Sequence, residues 1–545
     1  MCGAGFAILT GRNTINKMYW ADELANQIIT SGKYKPYWVD DMKTPSGRVH
    51  IGSVRAVLTH ELICRALKDR KKDVTFSYVL DDHDPMDSLP TYLDEKEYRQ
   101  HLGKPLYQIP SPEKGYDSYG QRWGQEYIEI FNSLDVHPEI IWGSQLYRSG
   151  KMNDSIKTCL DQAEAIRTIY KTIYKKGKPE NWFPFSVACE QCGKLSTTVV
   201  TGWDGEQVSY ECNPHAVVWT EGCGHHGQVS PFNGSGKLPW KIEWACKWKV
   251  IGVTVEGAGK DHMTAGGSHD VARLICERVI HYPVPFPFSH EFFLVGGRKM
   301  SSSKGLGSSA KEVSEILPPY LIRFMIARVK YNRAINFDPV GMTIPDLFDE
   351  YDHAARAFWQ KKDKRLARIY EISQVKGSPS KNHFLPRFRE IASIIQHPGI
   401  DAEERFAKLK GSKFTGEERR VLEERVKYAK IWLAQYAPEE QVFSLTTSIP
   451  KAADRLSLEQ KEFLAYVEEL LSEEWKKPED LQQALYERTK KMKIPTAECF
   501  EAIYLALIGK THGPRAAWFL LENRKLVLKR LKEVSKKSLK TTRET

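Results

Sequence analysis

A strand–turn–helix–strand pattern near the start of the chain constrains the fold most. The segments YKPYWVDDM (Tyr34–Met42) and DVTFSYVLDDHD each predict a strand, and the second ends in a cluster of acids. Between them lie a glycine-bearing turn and a segment whose apolar residues recur at helical spacing: Val54, Val57, Leu58, Leu62 and Leu67. Two strands joined in this way form a parallel pair with a right-handed crossover. The sequence therefore predicts an α/β domain with a parallel sheet.

The rest of the chain divides into regions of different pattern. Residues 18–300 are predicted to carry the sheet, split by an inserted region at 86–184 and a cysteine-bearing module at 185–240. Strand-like segments then resume, and HEFFLVGGRKM is predicted to be a strand of the same sheet. Residues 299–350 hold a polar loop and connecting helices. Residues 351–545 show apolar stripes on charged helices, which predict an all-α region with a basic tail.

Charge and apolar content limit the class of protein without deciding it. Lys and Arg number 80 against 69 Asp and Glu, a formal net charge of +11. Such an excess fits either simple solubility or a polyanionic partner. No stretch reaches the ~18 consecutive apolar residues that a membrane span needs, and the N-terminus lacks the pattern of a secretory signal. We therefore expect a cytoplasmic protein whose ten cysteines are thiols or metal ligands rather than disulfides.

The turn TPSGRVHIGS after the first strand has the composition of a phosphate site. Ser46 and Gly47 suit a tight turn, and Gly52 removes side-chain bulk where the helix begins. A helix N-terminus presents unpaired N–H groups and partial positive charge, which favour an anion, and His50 adds a donor at the same place. A purely structural turn with a surface histidine is the alternative reading.

A second candidate loop, GGRKMSSSKG (Gly296–Gly305), follows the apolar run FFLV. Lys299 and Lys304 supply ammonium donors, and Ser301, Ser302 and Ser303 supply hydroxyls. Open α/β sheets bind ligands at the carboxyl ends of their strands. Either loop alone could be a polar connection, but two donor-rich loops at such ends predict a ligand with several phosphates.

Four cysteines predict a structural metal site. Cys189 and Cys192 form the knuckle CEQC, and Cys212 and Cys223 follow at wider spacing. Thiolates at this spacing suit tetrahedral zinc, and four protein ligands leave no open position for catalysis. His215 or His225 could replace one cysteine, and a degenerate zinc ribbon without metal is the other alternative. The remaining cysteines in helical contexts, Cys64, Cys159, Cys276 and Cys499, are predicted to be buried apolar residues.

Several of these motifs together resemble one enzyme family. HIGS and KMSSS are similar to the two signatures of class I aminoacyl-tRNA synthetases. The segments TPSGRVHIGSVR, DDHDPMDSLP, LPWKIEWACKW, GAGKDH and GGRKMSSSKG resemble the class I lysyl-tRNA synthetases found in archaea and some bacteria. The likeness extends over about residues 18 to 530. It implies a Rossmann-like catalytic domain followed by an anticodon-binding helix bundle.

The resemblance also implies a reaction and its participants. ATP with Mg²⁺ and L-lysine would form lysyl-adenylate, and lysine would then pass to tRNA(Lys), with release of pyrophosphate and AMP. Residues implied to bind ATP are Pro45, Ser46, Gly47, His50, Gly52, Ser53, Lys299, Met300, Ser301, Ser302 and Ser303. Those implied in catalysis are His50, Lys299 and Lys304.

The amino-acid site is expected to need a carboxylate for the lysine ammonium. The candidate acids are Asp40 and Asp41, with Asp81, Asp82 and Asp84 as further possibilities. The resemblance implies that Thr44, Trp240 and His262 also surround the amino acid. Met42, Ser53 and Ser302 depart from the residues common at these places in the family. The alternatives are a class I enzyme for glutamate or arginine, and a catalytically silent tRNA-binding paralogue. The acids of VDDMKTPSG argue against a glutamate site.

Overall fold

The structure is a computed structural model that describes residues 18–299, 309–376, 381–397, 400–443, 445 and 448–541, leaving out the side chains of 298–299 and 535–541. The described chain forms two compact units. One comprises residues 18–338 with 353–376, and the other comprises residues 339–352 with 381–541. Within these described ranges, no helix is both long enough and apolar enough to cross a membrane.

The strands, numbered in chain order, are short. They are β1 Tyr37–Lys43, β2 Val74–Leu80, β3 Glu139–Trp142, β4 Ser186–Val187, β5 Thr198–Trp203, β6 Val208–Cys212, β7 His226–Val229, β8 Gly236–Lys237, β9 Val255–Gly259, β10 Phe286–His290, β11 Phe293–Val295, β12 Arg298–Lys299 and β13 Ile335–Phe337.

The helices are more numerous and fill most of the remaining chain. They are α1 Trp20–Ser31, α2 Ile51–Asp69, α3 Glu95–Tyr98, α4 Tyr119–Ser133, α5 Gly143–Arg148, α6 Asn153–Asp161, α7 Ala163–Tyr174, α8 Trp240–Ile251, α9 Lys260–Met263, α10 Ser268–Ile275, α11 Ala310–Ile316, α12 Pro319–Ala327, α13 Thr343–Trp359, α14 Lys364–Ile372, α15 Phe388–Ile394, α16 Ala402–Lys410, α17 Gly416–Gln435, α18 Leu458–Leu470, α19 Pro478–Thr489, α20 Thr496–Leu507, α21 Ala516–Glu522 and α22 Arg524–Thr541.

A five-stranded parallel sheet organises the first unit, as the sequence predicted. Its strand order is β10-β9-β1-β2-β3. The chain moves outward from β1 through β2 to β3, and then returns to the other side of β1 with β9 and β10. The order therefore reverses between β1 and β9, which is where open α/β sheets bind their ligands.

Helix α2 packs against the sheet, and its first residues lie at the edge of the sheet where the cavity opens. Its apolar residues recur at helical spacing, and nearly all are fully buried against the strands. His60 joins this helix to β9, because its Nδ1 lies 2.8 Å from the Ala56 carbonyl and its Nε2 accepts the Gly257 N–H at 3.0 Å. The middle of the helix is thereby joined to the middle of β9.

Two sequence expectations about the sheet differ from the structure. β3 lies inside the region expected to be an insertion, yet it pairs with β2 as the edge strand of the parallel sheet. Its four residues are too short for their pattern to identify a strand. The segment HEFFLVGGRKM is not one strand of this sheet: β10 ends at His290, and β11 forms a separate sheet with β12 and β13.

The second unit is helical, as the sequence predicted. Its described helices surround an apolar core that includes Phe463, Leu481, Ile503 and Phe519. Arg425 forms a buried two-pronged ion pair with Asp352, with nitrogen–oxygen distances of 2.8 and 2.5 Å. This charge-assisted pair fixes α17 within its own unit.

Candidate active site

A cavity of about 550 Å³ opens at the point where the strand order reverses. Its walls include the ends of β1 and β9, the start of α2 and the segment Trp240–Trp244. Eight of the predicted site residues line it: Asp41, Thr44, Ser46, His50, Gly52, Ser53, Trp240 and His262. The structure thus brings both the predicted phosphate turn and most of the predicted amino-acid site into one space.

His50 is held as a neutral hydrogen-bond donor at the start of α2. It is the N-cap residue of the helix, and its Nδ1 accepts the Ser53 N–H at 3.2 Å. Burial, with a smaller effect of Lys43, lowers the pKa of His50 to about 3. Because Nδ1 accepts, the ring proton must lie on Nε2. The side chain therefore offers an N–H beside the unpaired N–H groups of the helix.

The chain returns from the predicted second loop next to this histidine. Ser309 pairs with His50 in an antiparallel bridge, and the Ala310 N–H donates to the Val49 carbonyl at 2.7 Å. On the other side of the loop, Phe292 and Phe293 line the cavity before the chain reaches β12. Both described flanks of the loop thus lie at this site, whereas Met300, Ser301, Ser302, Ser303 and Lys304 lie outside the described residues, as does the side chain of Lys299.

The cavity wall is strongly acidic. Seven lining residues are carboxylic acids and one is a lysine, Lys43. The acids are Asp41, Asp81, Asp84, Glu243, Glu256, Asp261 and Glu291. Such a wall attracts a cation and repels a free phosphate chain. A polyphosphate bound here needs positive charge from elsewhere.

Asp41 is a buried acid of this wall with one carboxylate oxygen left without a hydrogen-bond partner among the described residues. It is 7% exposed, and the oxygen without a partner is Oδ2. That oxygen lies 3.7 Å from Nδ1 of His60. Burial raises the pKa of Asp41, opposed in part by His60. The other oxygen, Oδ1, accepts the Met42 N–H at 3.0 Å. A buried carboxylate oxygen without a partner is costly, and an ammonium beside Oδ2 would remove this cost.

Below the cavity, three acids and two lysines form a buried ionic cluster: Asp81, Asp84, Glu243, Lys237 and Lys247. Lys247 Nζ lies 2.7 Å from Asp81 Oδ2 and 3.1 Å from Glu243 Oε1. Lys237 Nζ lies 3.1 Å from Asp81 Oδ2 and 3.3 Å from Asp84 Oδ1, and it also bonds Glu243. The three acids are spaced as a metal site could be, but Lys237 Nζ already bonds all three.

Charge in this cluster is shared unequally. Lys237 and Lys247 lower the pKa of Asp81 well below its ordinary value, although burial alone would raise that pKa. Burial and the charge of Asp81 raise the pKa values of Asp84 and Glu243. Thr44 donates its hydroxyl to Asp84. With all groups ionised the cluster carries one excess negative charge, so it can accept one further cation.

Two aromatic residues from the sequence prediction stand at the cavity mouth. The rings of Trp240 and His262 meet edge to face with centroids 5.3 Å apart, and Trp240 is 43% exposed. Neighbouring Trp244 donates its indole N–H to Glu256 at 3.0 Å. The mouth therefore combines an aromatic surface with an acidic interior.

Four other predicted residues do not line the cavity: Asp40, Pro45, Gly47 and Asp82, whose carboxylate accepts hydrogen bonds from Ser144. Asp40 is fully buried and accepts the Ser77 hydroxyl of the neighbouring strand. Pro45 and Gly47 lie in the same turn as Ser46, whose carbonyl accepts the Tyr119 hydroxyl at 2.9 Å. Asp40 and Asp41 are adjacent in a strand, and successive side chains of a strand point to opposite faces.

The four predicted cysteines converge in the small module formed by β4–β8. Their Sγ atoms all lie within 4.8 Å of one another, with Cys189–Cys223 and Cys192–Cys212 both at 3.6 Å. The CEQC knuckle closes through Gly193, which adopts a φ of +75° and donates its N–H to the Cys189 carbonyl at 2.7 Å. The Cys223 N–H lies 3.3 Å from the Cys212 sulfur.

Sequence reasoning missed several residues at the site, among them the lining residues Lys43, Asp261 and Glu291. Lys237, Glu243, Lys247 and Glu256 were not singled out, although LPWKIEWACKW and GAGKDH were recognised as motifs. Glu243 and Lys247 are four residues apart on α8, a spacing that usually indicates an exposed ion pair. The one available signal was the density of tryptophan around them, because a helix that is apolar on every side is buried.

Comparison with known proteins identifies a family. The model of the family described as tRNA synthetases class I (K) matches residues 18–376. A protein named lysine–tRNA ligase 1 from Methanosarcina acetivorans is 33% identical over 544 residues, covering 95% of this chain and 98% of that protein. A lysine–tRNA ligase from Archaeoglobus fulgidus is 33% identical over 507 residues, covering 92% of this chain and 97% of that protein.

Among solved structures, a glutamate tRNA ligase from Elizabethkingia meningosepticum aligns with a TM-score of 0.42 and 12% sequence identity, covering 92% of this chain and 99% of that chain. The relatives are the stronger findings, because their sequences are 33% identical to this chain whereas that of the solved structure is 12% identical. This chain belongs to the family of tRNA synthetases class I (K).

Proposed function

We propose that the chain catalyses the ATP-dependent ligation of L-lysine to tRNA(Lys) through lysyl-adenylate, releasing pyrophosphate and AMP. The observation that carries the proposal is the cavity itself, where a helix N-terminus with a neutral His50 adjoins a wall of seven acids. The first feature suits a phosphate, and the second suits a cationic amino acid. The names of the curated relatives agree with this reading.

The acidic wall favours lysine over the other candidate substrates. A glutamate side chain would bring a further negative charge beside Asp41 and Glu243, and like charges at close range are costly. A neutral amino acid would leave Oδ2 of Asp41 buried without a hydrogen-bond partner. We assign the lysine ammonium to Asp41 or to the excess charge of the ionic cluster, with Thr44, Trp240 and His262 around it.

The reaction needs position and charge rather than a protein nucleophile. The lysine carboxylate attacks the α-phosphorus of ATP in line, the bond to the β-phosphate oxygen breaks, and pyrophosphate leaves. A ribose hydroxyl at the tRNA 3′ end then attacks the lysyl carbonyl, and AMP leaves. The Nε2–H of His50 and the N–H groups of α2 donate to phosphate oxygens, so they stabilise charge as it develops.

Positive charge for the leaving pyrophosphate is assigned to the predicted loop Gly296–Gly305. Lys299 and Lys304, with the hydroxyls of Ser301–Ser303, carry this role, and Mg²⁺ accompanies ATP as part of the substrate. The acidic wall explains the need for such a loop, because ATP would otherwise be repelled. The pairing of Ser309 with His50 supports the assignment, since it brings one end of the loop to the phosphate turn.

Amino-acid-dependent ATP–pyrophosphate exchange, measured with and without tRNA, tests the function. Only lysine is expected to support exchange, followed by transfer to tRNA(Lys). Exchange with glutamate or arginine instead would assign a different substrate. A protein that binds tRNA but supports no exchange with any amino acid would be the silent paralogue.

Replacing Lys299 with alanine is expected to slow adenylate formation by about 10- to 150-fold, the rate equivalent of one lost charge-assisted hydrogen bond. The apparent affinity for lysine should hardly change, because the ammonium site is elsewhere. Lys311→Ala, which removes an exposed lysine from α11, is the control. An unchanged exchange rate in Lys299→Ala would remove this residue from the mechanism.

The cysteine cluster is proposed to hold a structural zinc ion. The Sγ distances of 3.6 Å agree with the edge of a tetrahedron of about 3.8 Å that Zn–S bonds of about 2.3 Å produce. Cys189, Cys192, Cys212 and Cys223 would be the four ligands, with the Cys223 N–H as a hydrogen bond to sulfur. The metal would stabilise the module and take no part in the reaction.

Metal analysis of the purified protein is expected to find about one zinc ion per chain. Cys192→Ser should lose the metal and unfold the module, whereas Cys276→Ser, which changes a buried thiol outside the cluster, should retain it. Elemental analysis by mass spectrometry measures both. A metal-free protein with a fully folded module would contradict the assignment.

The helical unit is proposed to bind the anticodon. A cavity of about 340 Å³ within it is lined by Arg389, Arg405, Arg515 and Trp518, and the Arg515 guanidinium lies 5.2 Å from the centre of the Trp518 ring. Unpaired bases bind by stacking on aromatic and guanidinium planes. A cytoplasmic location, where tRNA and ATP are present and thiols stay reduced, is part of the same proposal.

A further inference from the structure

Helix α4 of the inserted region contacts both ends of the phosphate turn, residues 44–53 between β1 and the first turn of α2. The Tyr119 hydroxyl donates to the Ser46 carbonyl at 2.9 Å. Eight residues later on the same helix, the Tyr127 hydroxyl donates to Ser53 Oγ at 3.3 Å. Because residues seven or eight apart lie on one face of a helix, a single face of α4 holds the turn.

Glu126 lies on this face and binds the backbone in the middle of the turn. It follows Tyr119 by seven residues, and its Oε1 accepts the Val49 N–H at 2.8 Å. The Val49 carbonyl accepts the Ala310 N–H at 2.7 Å. Both polar backbone groups of this fully buried valine are therefore engaged, one by α4 and the other by the start of α11. Since Val49 directly precedes His50, these two hydrogen bonds fix the backbone that carries the histidine.

The charge of Glu126 does not explain its place beside a phosphate site. A carboxylate here opposes the binding of an anion. Arg122 lies 3.4 Å from Glu126 Oε2, but it also bonds Glu113 at 2.6 Å, so it balances only part of this charge. Glu126 is not one of the described residues that line the cavity. Its contribution is therefore the hydrogen bond to the backbone, which an ionised acceptor makes strong.

We propose that Glu126 is a positioning residue that holds His50 for contact with the ATP phosphates, an inference that rests on the proposed function. Glu126 acts through the Val49 N–H and touches no reacting atom. A displacement of ~1 Å at a reacting group costs up to about 100-fold in rate, so the backbone before His50 must keep its place. Helix α4 thereby contributes to the proposed active site, although none of its described residues lines the cavity.

Two conservative variants separate the hydrogen bond from the charge. Glu126→Gln removes the charge but keeps an oxygen for the Val49 N–H, so it should keep most of the rate of adenylate formation. Glu126→Asp keeps the charge but is one methylene shorter, and it is expected to slow adenylate formation by about 10- to 100-fold. Single-turnover formation at saturating lysine is the measurement. Glu129→Asp, which shortens an exposed acid of the same helix, is the matched control and should leave the rate unchanged.

A double-mutant cycle tests whether Glu126 acts through His50. Glu126→Asp is combined with His50→Ser, which keeps an N-cap acceptor but removes the imidazole donor. The combination should be little slower than His50→Ser alone, because the donor that Glu126 positions is already absent. A role confined to the stability of the fold would instead lower the rate by the same factor in both backgrounds.

Equilibrium binding of ATP with Mg²⁺, measured without an amino acid, repeats the cycle without requiring the reaction. Glu126→Asp is expected to weaken ATP binding by about 2- to 10-fold when His50 is present, the equivalent of one hydrogen bond. In the His50→Ser background it should have little effect. The affinity for lysine alone should stay unchanged in every variant, because the phosphate turn is the part of the site that moves.

The outcomes separate this role from the function on which it rests. A rate that is lost in Glu126→Gln but kept in Glu126→Asp would assign Glu126 an electrostatic role and overturn the positioning. Equal losses in the presence and absence of the His50 imidazole would overturn it as well, even with lysine-dependent exchange intact. Absence of lysine-dependent exchange in the unmodified protein would instead contradict the proposed function, and the ATP-binding cycle would then still decide the role of Glu126.

Discussion

Replacing Asp81 with asparagine is expected to lower the free energy of unfolding by about 3–5 kcal/mol, the loss typical when one partner of a buried ion pair is removed. Asp81 receives hydrogen bonds from both Lys237 and Lys247, and all three residues are at least nine-tenths buried. Asparagine has nearly the same shape but no charge, so both buried lysines would lose the carboxylate that they share. Urea unfolding followed by tryptophan fluorescence measures the loss.

The adjacent acid provides a matched control for this prediction. Asp82 is also buried, but it accepts hydrogen bonds from the Ser144 N–H and hydroxyl, both at 2.7 Å. Asp82→Asn is expected to cost about 1–3 kcal/mol, because these neutral donors lose an ionised acceptor. Adding Lys247→Met to Asp81→Asn should recover part of the first loss. Equal losses for the two single asparagine variants would contradict the special role of Asp81.

The pH dependence of the Asp81 contribution has a definite sign. The folded-state pKa of Asp81 is lowered, so its stabilisation is present above the ordinary carboxyl pKa of about 4 and declines as the pH falls further. Asp81→Asn should remove this part of the acid sensitivity. Urea midpoints measured at neutral pH and below pH ~4 would show a smaller difference in the variant than in the unmodified protein.

Replacing His50 with alanine is expected to slow adenylate formation by about 100- to 1000-fold, as loss of one well-placed donor to a developing charge does in other enzymes. His50 lines the cavity, and because its Nδ1 accepts the Ser53 N–H, its ring proton lies on Nε2, which is 3.5 Å from the Ser53 hydroxyl oxygen. Single-turnover formation of adenylate, in the presence of tRNA, is the measurement. The lysine affinity should stay within a few-fold, because only the phosphate end of the site changes.

Two further variants separate donation from helix capping. His50→Ser keeps an N-cap acceptor, so it should preserve the folding stability. The serine side chain is too short to donate a hydrogen bond to the phosphate, so this variant should still lose activity. His50→Asn keeps both an acceptor and an N–H donor and should retain more of the rate. Since the pKa of His50 is about 3, the rate should show no titration of this residue between about pH 5 and 8. A rate for His50→Ser equal to that of the unmodified protein would contradict the donor role.

The same histidine also makes folding stability depend on pH. Its folded-state pKa is below the ordinary value of about 6.5, so the unfolded chain binds a proton that the folded chain does not. Its contribution to stability is therefore complete above the ordinary value and is lost as the pH falls toward 3. His50→Ser should reduce this acid sensitivity without changing stability at pH ~8.

Local sequence patterns were sufficient to predict the βαβ unit, the position of His50 and the group of cysteines. The βαβ unit follows from strand and helix spacing, and the position of His50 at the start of α2 follows from the turn that precedes it. The cysteine set follows from the CEQC knuckle and its glycine. The family resemblance supplied Thr44, Trp240 and His262, which the structure places in the same cavity.

Other features depend on long-range packing that no local pattern encodes. Asp40 and Asp41 are adjacent acids, and only the register of β1 against β2 decides which of them faces the cavity. Lys237 and Lys247 are separated from Asp81 by more than 150 residues along the chain. The bend between β10 and β11 contains neither glycine nor proline. The apolar pattern that continues through it therefore predicted a single strand.

The position of Lys237 links the small module to the reaction. This lysine lies in β8, which pairs with β4 just ahead of the CEQC knuckle, yet its ammonium neutralises acids beneath the substrate cavity. A substitution that loosens the module would withdraw that ammonium and change the electrostatic potential where lysine is to bind. In a screen scored by growth or turnover, folding defects of the module would therefore be mistaken for catalytic mutants, and only a separate assay of the folding of the module could tell them apart.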